Sequence, residues 1–83
     1  MSEPSGDVRA LVEHVAKALV DSPDQVVVEV VEEDGDTIVE LEVAESDLGR
    51  VIGKQGRTAR AMRALLGAAG LKADKHYSLE ILE

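Results

Sequence analysis

Val8, Leu11, Val12, Val15 and Leu19 recur at helical spacing, with Glu13 and Lys17 on the opposite side. Steps of three and four predict an amphipathic helix, with Asp7 as its N-cap. Ser22-Pro23 closes it, because the residue before a proline is pushed out of the helical region. The period then changes. Residues 25–33 are rich in valine, residues 36–44 alternate apolar with polar, and Asp34-Gly35 stands between them. Asp-Gly is a strong signal for a two-residue hairpin turn. Counted outward from that turn, Val30 faces Val39, Val28 faces Leu41 and Val26 faces Val43, so one face is wholly apolar. On the other face Glu29 lies opposite Glu40 and Val27 opposite Glu42, which predicts an open, acidic surface.

Ser46 or Asp47 is placed to cap a short helix over 48–52, and residues 53–56 interrupt it. A longer helix is predicted over 57–69, with Met62, Leu65, Leu66 and Ala69 as its buried stripe and Gly70 as its stop. Residues 72–76 read as a polar connector. Tyr77, Leu79 and Ile81 then alternate with Ser78, Glu80 and Leu82, the pattern of a last strand. The order is helix, strand, strand, helix, helix, strand. The helical crossover makes the second and third strands parallel neighbours with a right-handed connection. The expected fold class is therefore α+β, with three helices on one face of a three-stranded mixed sheet. Residues 1–6 are expected to form a flexible tail and residues 7–83 one domain, since 83 residues leave no room for a second core.

The formal net charge of -8 argues against a nucleic-acid partner, and its distribution reverses that. Residues 1–48 hold 14 acidic and 2 basic side chains, whereas residues 49–83 hold 7 basic and 3 acidic ones. Arg50, Lys54, Arg57, Arg60 and Arg63 fall in a stretch without Asp or Glu. A polyanion responds to that local field, because charges beyond about 8–10 Å are screened in physiological salt.

The chemistry concentrates in Val51-Ile52-Gly53-Lys54-Gln55-Gly56-Arg57. Two glycines three apart permit an abrupt turn and a close approach of another backbone. The helix that follows directs its free N–H groups and positive end at whatever binds there. Lys54 and Arg57 add charge, which suits a phosphate backbone. Val51-Ile52-Gly53-Lys54-Gln55-Gly56 resembles the VIGxxG signature of KH domains, whose GxxG loop clamps about four nucleotides. The element order is similar to the type II arrangement. The run from Leu48 to Thr58 resembles the KhpA family of small bacterial KH proteins, and the likeness extends over essentially the whole chain.

The resemblance implies a two-layer type II KH domain with a groove between the two helices and loop on one side and the sheet edge on the other. With the basic cluster read above, it makes Arg50, Val51, Ile52, Gly53, Lys54, Gln55, Gly56, Arg57 and Arg60 the expected RNA site, the arginines from charge and residues 51–56 from the resemblance. Val51 and Ile52 would supply apolar floor, and Lys54 and Gln55 would face the backbone. It further implies single-stranded RNA as ligand, post-transcriptional regulation or RNA-chaperone activity, a role in cell-envelope growth and cell shape, and a homodimer or a heterodimer with a KhpB/Jag-like protein. The chain departs from the KH pattern in carrying Ala59 and Ala61 where isoleucine is common. Its hairpin turn is acidic, and Tyr77 is the single aromatic residue. Base stacking on aromatics is worth ~1–3 kcal/mol per base, so weak and broad binding is expected.

Other classes fare worse. The spacing of Gly49 and Gly53 and the presence of Gln55 fail the nucleotide-binding P-loop pattern. His14 and His76 have no readable nucleophile beside them, so no catalytic residue, metal, cofactor or small-molecule substrate is expected. No cysteine is present, which leaves no disulfide or thiolate site. No apolar run approaches the ~18 residues of a membrane span, and no secretory signal opens the chain, so a cytoplasmic location is expected. The competing function is a protein-interaction module that uses Val27, Val31, Ile38 and Leu82 near the open sheet face, or the first helix.

Overall fold

The computed structural model describes residues 4–83, with side chains from Val8 onward. The elements are α1 (Pro4–Leu19), β1 (Val27–Glu33), β2 (Asp36–Glu42), α2 (Leu48–Ile52), α3 (Arg57–Ala73) and β3 (His76–Ile81). Three-residue 3-10 turns, Pro23–Gln25, Glu45–Asp47 and Lys54–Gly56, precede β1, α2 and α3. The sheet order is β1-β2-β3, with β1 antiparallel and β3 parallel to β2. This is the α+β, type II KH architecture expected from the sequence. Among the described residues, no helix is long and apolar enough to cross a membrane.

The hairpin forms in the expected register, with Val28 opposite Leu41 and Val30 opposite Val39. Asp34 and Gly35 both take positive φ, 50° and 85°, as a tight hairpin turn requires. Both strands are shorter than their valine-rich runs, because residues 23–25 curl into the 3-10 turn and β2 ends at Glu42. The inner face supplies Val28, Val39, Leu41 and Leu79 to one core, which Val8, Val12, Ala16, Val51, Met62 and Leu66 close from the helical side. At about 1.5–3 kcal/mol for each large apolar side chain taken out of water, this layer is the main source of stability. Arg9 Nε donates to the Val28 carbonyl at 2.9 Å, tying α1 to the edge strand β1.

Several expectations are corrected. α1 starts at Pro4, so Asp7 sits inside it rather than at its cap. A proline suits a first helical turn, where its missing N–H would have had no partner. Residues 1–3 of the expected tail lie outside the described residues, and residues 4–6 belong to α1. α3 passes through Gly70 and ends at Ala73, capped by Asp74 at φ 56°. Gly70 is needed for packing instead: the Lys75 N–H donates to its carbonyl at 2.8 Å, and a Cβ there would lie 2.5 Å from the Lys75 carbonyl oxygen. The stripe that α3 buries is Ala59, Met62, Leu66 and Gly70, whereas Leu65 is 49% exposed. Ala59 is buried on α3, only 4% of its surface remaining open.

Candidate nucleic-acid interface

The loop between α2 and α3 is built from left-handed backbone. Gly53 takes φ 78°, Gln55 φ 57° and Gly56 φ 73°. Only glycine adopts such angles without cost, and a side chain at Gln55 is held there against a penalty of ~1–3 kcal/mol. Two arginines support Gln55. Arg60 Nη2 donates to its carbonyl oxygen at 3.0 Å, and Arg57 Nη2 donates to its Oε1 at 3.3 Å. Gly53 closes α2 by donating to the Gly49 carbonyl at 2.9 Å, and Gly56 donates to the Gly53 carbonyl at 3.1 Å. A Cβ on Gly53 would fall 2.3 Å from Thr58 Oγ1 and 2.8 Å from the Thr58 amide nitrogen, so the chain doubles back tightly there. A Cβ on Gly56 would meet nothing within 4 Å. The first glycine is thus demanded by contact and backbone angle, the second by backbone angle alone.

The expected site residues separate into three groups. Lys54, Gln55, Arg57 and Arg60 are exposed at the loop and the first turn of α3. Among the described residues, the ion pairs include none from Lys54, Arg57, Arg60 or Arg63 to a carboxylate. Gly53, Gly56 and Ile52 are half-buried beside them, and Ile52 retains the apolar surface expected of the floor. Val51 does not: it is fully buried in the core and offers no surface to a ligand. On a helix of five residues, one of the two adjacent apolar side chains must turn inward.

Arg50 is the third case. Its Nη2 lies 2.9 Å from Asp21 Oδ2 and its Nε 3.5 Å from Asp47 Oδ1, so two carboxylates engage the one guanidinium. Asp47 is 1% exposed. It occupies the N-cap position of α2 without a side-chain cap bond. Its carboxylate crosses instead to the α1–β1 connection and accepts from the Asp21 and Ser22 amides, each at 3.1 Å. A short acidic side chain before a helix looks like a cap in any sequence, and only the fold shows that better donors lie elsewhere. Asp21 gives no signal in the sequence for the same reason: 26 residues separate it from Asp47.

Electrostatically the molecule has two sides. Glu29, Glu40 and Glu80 stand directly opposite one another across the three strands of the open sheet face. The loop and α3 carry Lys54, Arg57, Arg60 and Arg63, which make no ion pair with a carboxylate among the described residues. Among the described residues, no group of three or more His, Asp or Glu is placed to hold a metal ion.

With this geometry in place, comparison with known proteins settles the family. Residues 9–81 match the model for "KhpA/KhpB, KH domain". The chain belongs to that family. The RNA-binding protein KhpA of Borreliella burgdorferi is 46% identical over 78 residues, 94% of this chain and 95% of that protein. The RNA-binding protein KhpA of Caldanaerobacter subterraneus is 51% identical over 72 residues, 87% and 96% of the two chains. KhpA of Aquifex aeolicus is 49% identical over 76 residues, 92% and 96% of the two chains. Among solved structures, Era of Aquifex aeolicus superposes with a TM-score of 0.58 at 19% identity, over 89% of this chain and 29% of that one. At that identity the likeness is one of fold.

Proposed function

We propose that this chain binds single-stranded RNA, weakly and with broad sequence tolerance, through the loop from Gly53 to Gly56 and the start of α3. The observation that carries the reading is the left-handed loop backbone at Gly53, Gln55 and Gly56, beside which Lys54, Arg57 and Arg60 have no carboxylate partner among the described residues. The names of the KhpA relatives support it. Lys54 meets phosphate as a mobile point charge. Arg57 and Arg60 keep donors to spare beyond those that hold Gln55, since a guanidinium carries five N–H groups. Ile52 lines the groove floor beneath the bases. A cytoplasmic protein of this kind acts in post-transcriptional regulation or as an RNA chaperone, in company with a KhpB-type partner.

The test replaces Lys54 and Gln55 together by aspartate. Both are exposed, so the fold should be retained by circular dichroism, while affinity for a single-stranded RNA oligonucleotide should fall at least tenfold. Equal binding by the variant and the wild type would move the site elsewhere.

A second reading has one specific observation behind it. Leu65 is 49% exposed and Leu71 86% exposed on α3, far more than buried helices leave open. That outward side of α3 would serve a homodimer or the KhpB-type partner. Leu65→Lys should then lower the mass measured by light scattering without weakening RNA contact by the isolated chain.

A further inference from the structure

Arg50 belongs to the basic segment by sequence, yet the fold surrounds it with acid. The guanidinium lies 2.9 Å from Asp21 and 3.5 Å from Asp47. Asp47 is buried and accepts two backbone amides, so it stays where it is. Asp21 is held from the other end, because its own amide is one of those donors. Its carboxylate is thereby aimed at Arg50 from a fixed backbone, although the side chain is 73% exposed. Asp21 Oδ2 engages the Nη2 donor of Arg50.

We infer that Asp21 acts as a built-in phosphate mimic that withholds Arg50 from nucleic acid and so limits how many phosphates the loop neutralises. The inference rests on the RNA-binding reading. The physical ground is counterion release. A cation contributes to salt-dependent binding when it neutralises a phosphate and so frees counterions condensed on the nucleic acid. A phosphate that takes Arg50 must first break its ion pair with Asp21 and leaves that carboxylate beside the polyanion, so the gain from neutralising the phosphate is offset. Lys54, Arg57 and Arg60 have no such competitor among the described ion pairs. Asp21 therefore sets the effective charge of the interface from a connection remote in sequence.

The experiment measures affinity for a single-stranded RNA oligonucleotide across a salt series in four proteins: wild type, Asp21→Asn, Arg50→Gln and the double variant. Asn keeps the backbone amide that Asp47 holds. Asp21→Asn should bind roughly threefold to fivefold tighter at low salt, the size of one exposed ion pair. Its log affinity against log salt should steepen by about 0.7, the contribution of one phosphate on a single strand. Adding Arg50→Gln to Asp21→Asn should remove that gain, and Arg50→Gln should cost far less slope in the wild-type background than in the Asp21→Asn background. An unchanged slope in Asp21→Asn, or an equal loss from Arg50→Gln in both backgrounds, overturns the inference. The RNA reading fails separately, and takes the inference with it, if the wild type itself shows no salt-dependent binding.

Discussion

The open sheet face and the loop face are made from the same small chain and carry opposite charge. On the sheet, Glu29, Glu40 and Glu80 form a row across three strands, and Glu42 lies opposite Val27 in the neighbouring row. Like charges directly opposite in a sheet are destabilising, by a few tenths of a kcal/mol up to about 1 kcal/mol a pair. On the loop face, Lys54, Arg57, Arg60 and Arg63 are exposed and make no ion pair with a carboxylate among the described residues. The sheet carries a cost in stability, and the loop carries strain at Gln55. The comparison teaches that a total of -8 describes neither surface. Because screening sets in within about 8–10 Å, a polyanion approaching from the helical side meets a basic patch, and one approaching the sheet is repelled.

The largest blow to the loop side is expected from its backbone. Gly53→Ala places a Cβ against Thr58 at a φ of 78°. It should cost at least ~2 kcal/mol and lower Tm by roughly 4–8 °C for each of those kcal/mol. Gly56→Ala meets open space and should cost only ~1 kcal/mol. Chemical denaturation of the two variants side by side checks the difference; equal losses would mean that contact with Thr58 does not distinguish the glycines.

A smaller effect sharpens the count of charges at work. Three free cations at the loop, Lys54, Arg57 and Arg60, give a predicted slope of about -2 for log affinity against log salt on single-stranded RNA. Arg57→Gln should reduce its magnitude by about 0.7, while substitution of Lys72 or Lys75 at the far end of α3 should leave it alone. A slope near zero, with binding kept at high salt, would favour the protein-interaction reading.

The smallest effect belongs to the sheet. Glu40→Gln with Glu42→Gln should leave specific RNA affinity unchanged and raise stability by about 0.2–1 kcal/mol, as repulsion along the glutamate row is relieved. Thermal melting and RNA titration of the same variant separate the two. A loss of RNA affinity would place nucleic acid on the sheet and undo the contrast between the faces.

Local rules carried the sequence a long way. Alternation and the Asp34-Gly35 turn were enough for the hairpin register, since slipping by one residue would have exposed Val28, Val39 and Leu41 together. Glycine spacing marked the loop, because positive φ at Gly53 and Gly56 is a property of the backbone itself. The family resemblance, too, was legible in residues 48–58. What escaped were features that depend on which distant groups meet. Gly70 looked like a helix stop and is a contact with Lys75. Leu65 looked buried and is outside, because α3 turns Met62 and Leu66 into the core instead. Val51 and Ile52 are equivalent as sequence, and only the packed core takes one and leaves the other. Arg50 shows the limit most clearly. The sequence determined that five basic residues cluster around a glycine loop, but only the tertiary structure decided that one of them is engaged by Asp21 and Asp47, since Coulomb attraction depends on distance in space and Asp21 lies 29 residues away along the chain.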